Sequence, residues 1–255
     1  MEEISYKRTR LKKFFEDNPK CALAFSGGVD SAYLLYAAAK LGAKVQPYYF
    51  QTAFQPQFEY ADALKLCAKL GAELKTVEYD ILSDNTIASN PENRCYFCKK
   101  AMFCYLTSRA KADGYDVIID GTNASDNYAD RPGMKALAEM SVLSPLRECG
   151  LTKDEIRALS KSGGLFTWDK PAYACLATRI YCGGKITADI LESVEAAEGE
   201  LKKMGFTDMR VRVIDSAAKI QIKHSQLAAA ENKKDEILRR LKPYFDTIIP
   251  NLEGR

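Results

Sequence analysis

The hexapeptide Ser26-Gly27-Gly28-Val29-Asp30-Ser31 lies between an apolar run at 21–25 and a helix-like run at 32–41. A strand that empties through two glycines into a helix start presents backbone N–H groups and hydroxyls to an anion. The plainer reading of the same residues is a tight strand-to-helix turn with a Ser or Asp cap. The loop differs from G-x-x-x-x-G-K-[ST], the signature of NTPases that cleave a γ-phosphate, which is absent from this chain.

Strand-like runs at 21–25, 44–50, 74–79 and 117–120 alternate with helix-like segments at 32–41, 58–70 and 99–112. That alternation predicts an α/β fold, a parallel sheet with helices on both faces. A further strand is expected near 142–143, and Thr152 followed by Glu155 predicts a capping box at a helix start. The first domain is expected to span 1–168. Ligands of such sheets bind beyond the carboxyl ends of the strands, where 26–31 falls. From 169 to 255 the chain changes character. A loop rich in Gly, Cys and Lys at 169–185 precedes a helix at 188–203, strands at 209–214 and 219–223, a charged helix at 233–244 and a strand at 247–249. This reads as a small α+β domain.

With 255 residues, 47% of them hydrophobic, the chain can bury a sizeable core. A formal net charge of +3 carries no large basic excess, so a small-molecule substrate is expected rather than a nucleic acid. No signal core or membrane-length apolar run is present, which makes the expected compartment the cytoplasm. Eight cysteines at irregular spacing, without a secretory signal, read as thiols or metal ligands. The single histidine, His224, is a poor basis for a triad or a zinc site and is expected at the surface or a strand end.

Four further groups of residues carry chemistry. The segment 120–126 follows the fourth strand, so Gly121 and Thr122 open at the same sheet edge as 26–31, with Gly121 allowing close approach of the backbone to ribose or phosphate. Asp30 cannot attract a triphosphate directly and would bridge through Mg²⁺ or serve the turn. Cys95 and Cys98 form a C-x-x-C just before the helix-like run expected from Lys99, a position that favours thiolate. The pair could be a redox dithiol, half a metal site or two buried small hydrophobes, and Cys104 would face elsewhere on the helix. Cys175 is flanked by small residues and followed by Arg179, again favouring thiolate, whereas Cys182 reads as an incidental thiol. Arg210 and Arg212 alternate with Val211 and Val213, which predicts one strand face bearing two guanidinium groups, either an anion clamp or an exposed face. Arg131 is a further candidate anion contact or a turn residue.

The 26–31 loop resembles the PP-loop of ATP pyrophosphatases, which adenylate a substrate. Together with RCYFCK at 94–99, GTN at 121–123, DRPG at 130–133, SPL at 144–146, TKDEIR at 152–157, WDKP at 168–171 and CLATRI at 175–180, the chain resembles the LarE family over nearly its whole length. These are the ATP-dependent sulfur-inserting enzymes of nickel-pincer cofactor synthesis. The resemblance implies a nucleotide site at Ser26, Gly27, Gly28, Asp30, Ser31, Gly121 and Thr122, with ATP and Mg²⁺. It implies adenylation of pyridinium-3,5-biscarboxylic acid mononucleotide and displacement of AMP by sulfur, with Asp30 and Cys175 as reacting-site residues. Arg210 and Arg212 match arginines that in the family lie near the substrate phosphate.

In one branch of the family the cysteine matching Cys175 surrenders its own sulfur, and that branch lacks the paired cysteines. Here Cys95, Cys98 and Cys175 together suit a [4Fe-4S] cluster with one iron free of protein ligation. The resemblance further implies a sulfide donor, no nucleic-acid or membrane partner, and a homo-oligomer with a hexamer as the expected assembly. Gln221 stands where an acidic residue is expected, and Thr178 where relatives carry Ser. Three other readings compete: a tRNA-thiolating PP-loop enzyme, an amide-forming adenylating synthetase, and a zinc-stabilised nucleotide-binding regulator. The last would complete a Cys₄ site around Cys95, Cys98 and Cys175 with Cys149 or Cys182.

Overall fold

The computed structural model describes residues 2–126 and 132–251, so the expected contact at Arg131, with Asp130 of the same DRPG motif, lies outside the described residues. Two compact units are present, one of Met1–Tyr79 with Asn93–Ala172, the other of Asp80–Glu92 with Tyr173–Arg255.

In the first unit four parallel strands, β1 (Lys20–Ala24), β2 (Lys44–Gln51), β3 (Lys75–Glu78) and β4 (Val117–Ile119), form a sheet in the order β3-β2-β1-β4. Both faces are buried, as parallel sheets require. Cys21, Leu23, Tyr49 and Ile119 pack with the helices Val29–Lys40 and Gln57–Leu70 on one face. Ala22, Tyr48, Phe50 and Ile118 pack with Phe103 and Leu106 of the helix Arg94–Ala112 on the other. The chain runs from β1 through β2 to β3 and then returns to the far side of β1, so the strand order reverses between β1 and β4. The loops leaving those two strands flank the crevice of a topological switch point.

Three elements of the first unit differ from expectation. The strand expected near 142–143 is reduced to a single bridge between Leu143 and Ile119, because the chain turns into Pro145–Glu148 at once. An unanticipated N-terminal helix, Glu2–Asp17, buries only Leu11 and Phe15, too thin a stripe to signal in a charged segment. The helix expected from Lys99 begins at Arg94. The capping box forms as expected: Thr152 accepts from the Glu155 N–H, and the Glu155 side chain accepts from the Thr152 N–H at 2.8 Å.

The second unit holds a three-stranded mixed sheet, β5 (Arg210–Ile214), β6 (Ala217–Gln221) and β7 (Thr247–Asn251). β5 and β6 are antiparallel, joined by Asp215 and Ser216 at φ of 50° and 44°, the two-residue turn whose backbone twist matches the strands. That short turn moves β6 two residues earlier than the expected 219–223. β7 adds in parallel to β6. The helix Ala188–Lys203 buries Leu191, Val194, Ala197, Glu198 and Leu201. Asn90, held at φ 54°, ties this unit's loop down: it donates to the Tyr181 carbonyl at 2.7 Å and accepts from the Gly183 N–H at 2.8 Å. Exposed His224 opens a short turn beyond the end of β6.

Candidate functional site

At the carboxyl end of β1 the loop is built by its glycines. Gly27 has φ of +69°, and a Cβ there would meet the Ala63 side chain at 3.2 Å, so glycine serves both the left-handed backbone and the close helix. Gly28 is the N-cap of Val29–Lys40 and offers no side chain to the first turn. Ser26 and Ser31 close the loop on themselves, their hydroxyls 3.1 Å apart, with the Gly28 N–H donating to Ser26 Oγ at 3.3 Å. A helix start without a side-chain cap, bordered by two hydroxyls, suits an anion.

Gly121 lies against this seat. A Cβ on it would fall 2.9 Å from the Ser31 backbone N, so glycine lets the two loops approach backbone to backbone. The Thr122 hydroxyl donates to Asp120 Oδ2 at 2.5 Å, and Asp120 Oδ1 accepts from Ser144 Oγ at 2.7 Å. Asp120 thus ties the second loop to Ser144, at the start of Pro145–Glu148. Gly121→Ala is expected to destabilise the protein by about 1–3 kcal/mol through overpacking at an unyielding backbone. Gly199, in Ala188–Lys203 with open space around it, is the control: its alanine variant should gain about 0.5–1 kcal/mol of stability. Thermal unfolding of the two variants, which should shift in opposite directions, checks both.

Asp30 sits in the first turn of Val29–Lys40. Its Oδ2 accepts from Lys153 Nζ at 2.6 Å, while Oδ1 is buried with no hydrogen-bond partner among the described residues. Burial pushes the carboxyl up from its ordinary value, and the Lys153 ammonium opposes that shift. A carboxylate with one unsatisfied buried oxygen at an anion seat is a hard donor that fits Mg²⁺. Lys153 lies in the TKDEIR motif but is given no site role by the sequence, because 123 positions separate it from Asp30.

The cysteines fall into three groups. Cys21, Cys67 and Cys149 are buried, and loss of hydration pushes their thiols up to about 11, 12 and 11. They are core residues, which removes Cys149 from the proposed zinc set. Cys95 and Cys98, exposed and half-buried, lie three positions apart on one face of Arg94–Ala112. Because the helix begins five residues earlier than expected, Cys95 is in its first turn and Cys98 in its second. Arg94 donates to Cys95 Sγ at 3.6 Å and lies over the Phe54 ring at 5.6 Å. Two accessible sulfurs on one helix face fit two positions of a thiolate-bound metal or cluster. Among the described residues no group of three or more Cys, His, Asp or Glu is gathered as a metal centre.

Cys175 belongs to the second unit, where it caps a short turn, Leu176–Arg179, and is half-buried. Its carbonyl accepts from the Thr178 N–H at 3.0 Å and the Thr178 hydroxyl at 2.8 Å, so the hydroxyl-preserving Thr178 is part of the turn. Arg179 acts electrostatically on Cys175 from a buried position. It is 1% exposed and forks onto Glu198 at 2.6 and 3.2 Å, with further bonds to the Ala174 carbonyl and Thr178 Oγ1. Glu198 also accepts from Tyr173 Oη at 2.5 Å and the Val211 N–H at 3.0 Å. A signal for Glu198 does exist in the sequence: it is an acidic residue within the apolar stripe of the helix Ala188–Lys203. Exposed Cys182 donates to the Asn90 carbonyl at 3.6 Å. Arg210 and Arg212 project from the opposite face of β5 to buried Val211 and Val213. Arg212 donates to Gln221 Oε1 at 2.7 Å, which gives Gln221 a structural role.

A parallel sheet with a glycine-hinged anion seat at its switch point, closed by a second loop from the neighbouring strand, defines a PP-loop nucleotide enzyme. The family described as Thiamine biosynthesis protein (ThiI) matches residues 18–202. The chain is 30% identical over 244 residues, 95% of its length and 88% of the relative's, to the pyridinium-3,5-bisthiocarboxylic acid mononucleotide synthase of Lactiplantibacillus plantarum. It is 36% identical over 227 residues, 88% of its length and 84% of the relative's, to an uncharacterised protein of Synechocystis sp.. To the tRNA-specific 2-thiouridylase MnmA of Pseudothermotoga lettingae it is 28% identical over 187 residues, 59% of the chain and 54% of the relative. The chain belongs to the LarE family of ThiI-like PP-loop proteins and is an ATP-dependent sulfurtransferase. No helix among the described residues is long and apolar enough to cross a membrane.

Proposed function

We infer that the enzyme adenylates the carboxylates of pyridinium-3,5-biscarboxylic acid mononucleotide and converts them to thiocarboxylates for a nickel-pincer cofactor. The observation that carries this reading is the uncapped Ser26–Ser31 seat locked against Gly121, in a chain similar along nearly its full length to a synthase of that name. Ser26, Gly27, Gly28 and Ser31 receive the phosphates of ATP, Asp30 holds Mg²⁺, and Gly121 and Thr122 close the site. A substrate carboxylate oxygen attacks the α-phosphorus, and the bond to the β-phosphate oxygen breaks to release pyrophosphate. Sulfur then attacks the activated carbonyl, and the C–O bond to AMP breaks. Arg210 and Arg212 hold the substrate phosphate, a bidentate task suited to guanidinium.

Cys95, Cys98 and Cys175 would ligate three irons of a [4Fe-4S] cluster, whose fourth iron supplies a binding position for sulfide taken from an external donor. The thiol set is present, so no cysteine need be consumed. The enzyme works in the cytoplasm as a homo-oligomer, a hexamer in this reading, on a small molecule rather than RNA. Anaerobic reconstitution tests it: the expected protein contains iron and labile sulfide and turns over repeatedly with Cys175 intact. A protein without either, in which Cys175 becomes dehydroalanine after one turnover, belongs to the sacrificial branch.

A further inference from the structure

Lys153 opens the helix Lys153–Ser162, where a cation faces the positive end of the helix dipole. Its backbone is held there firmly: the capping box fixes Thr152 and Glu155, Glu155 accepts from Lys7 at 2.8 Å, and the Lys153 N–H donates to Ser125 Oγ at 3.0 Å. A residue that breaks a local rule in an over-determined position points to a task elsewhere. That task lies 123 residues upstream, where its ammonium meets Asp30 Oδ2 at 2.6 Å.

Arg157 and Asp126 also act electrostatically on Asp30. The Arg157 guanidinium is committed to the carbonyls of Trp168 at 2.6 Å and Lys170 at 2.8 Å. Lys153 therefore supplies the cation that touches the carboxylate, on a flexible stem that can leave it. The other carboxylate oxygen, Oδ1, is buried and unbonded among the described residues.

We propose that Lys153 is a positioning residue that stands in for the divalent cation on Asp30 and yields the carboxylate when the metal–nucleotide complex binds. The ammonium orients Asp30 and lowers the cost of its charge while the seat is empty, and Mg²⁺ must displace it. The inference rests on the nucleotide-site reading of 26–31. It makes the Mg²⁺ requirement for nucleotide binding a competition between two cations for one carboxylate.

Calorimetric binding of α,β-methylene-ATP over a series of Mg²⁺ concentrations tests this without turnover. In Lys153→Met the Mg²⁺ concentration giving half-maximal binding should fall by about fivefold, on the order of a partly buried ion pair's strength. Lys153→Arg should retain the wild-type midpoint, and Lys153→Gln provides a neutral hydrogen-bonding variant should the methionine variant fail to fold. In the Asp30→Asn background, where Mg²⁺ should no longer promote binding, the Lys153 substitution should change nothing further. An unchanged or raised midpoint in folded neutral variants, with Mg²⁺-dependent binding still lost in Asp30→Asn, overturns the role of Lys153 alone. If Asp30→Asn binds the analogue as tightly as the wild-type protein at every Mg²⁺ concentration, the nucleotide-site reading itself fails.

Discussion

Cys175→Ala is expected to leave pyrophosphate release within about threefold of wild type while reducing thiocarboxylate formation by more than about a thousandfold. The asymmetry follows from chemistry. Adenylation needs a phosphate seat, a carboxylate for Mg²⁺ and a bound acid, and these are assigned to 26–31, Gly121, Thr122 and the arginines of β5. Sulfur transfer needs a sulfur atom, and alanine offers neither a ligand nor a donor. Pyrophosphate measured by a coupled assay and thiocarboxylate measured by mass spectrometry separate the two halves. Cys95→Ala sharpens the test. With a cluster carrier it should lose iron and repeated turnover together, whereas a sacrificial Cys175 would still give one product per chain. A Cys175→Ala enzyme that continued to make thiocarboxylate would remove the thiol from the reaction.

The strands of the first unit are legible because each is a short apolar run bounded by turn residues, and burial on both sheet faces preserves such runs. The helix at 153 is legible for a different reason, the local Thr152–Glu155 capping box. What escapes is information that is not local. The helix from Glu2 to Asp17 buries only Leu11 and Phe15, with half-buried Phe14 packed on the core beside them, in an otherwise charged segment. The segment Asp80–Glu92 carries no compositional break, yet it groups with residues beyond Tyr173. At the site, loop residues can be read from glycine spacing, but partners cannot. Gly121 packs on the Ser31 backbone, Arg179 forks onto buried Glu198, and Lys153 reaches Asp30 across most of the first unit, none of which spacing reveals. Spacing along a chain identifies groups able to do chemistry, whereas which group meets which is decided by topology.

Glu198→Ala is expected to cost about 3–5 kcal/mol of stability, the penalty for leaving a buried charge without its partner. The side chains of Arg179 and Glu198 are 1% and 6% exposed, so water cannot replace the missing carboxylate at the guanidinium. The loss extends to the other groups that Glu198 receives, the Tyr173 hydroxyl and the Val211 N–H. Glu198→Gln keeps the shape and part of the hydrogen bonding but not the charge, so it should fall between wild type and alanine. Denaturant unfolding gives the order. The consequence for function is local to Cys175, because Arg179 donates to the carbonyl of Ala174 and the hydroxyl of Thr178 on either side of it. Freed from Glu198, the guanidinium no longer holds both ends of that turn, and Cys175 in Glu198→Gln should be alkylated faster than in wild type, with exposed Cys182 as the internal reference. Equal alkylation ratios in the two proteins would confine Glu198 to stability and deny it any hold on the Cys175 turn.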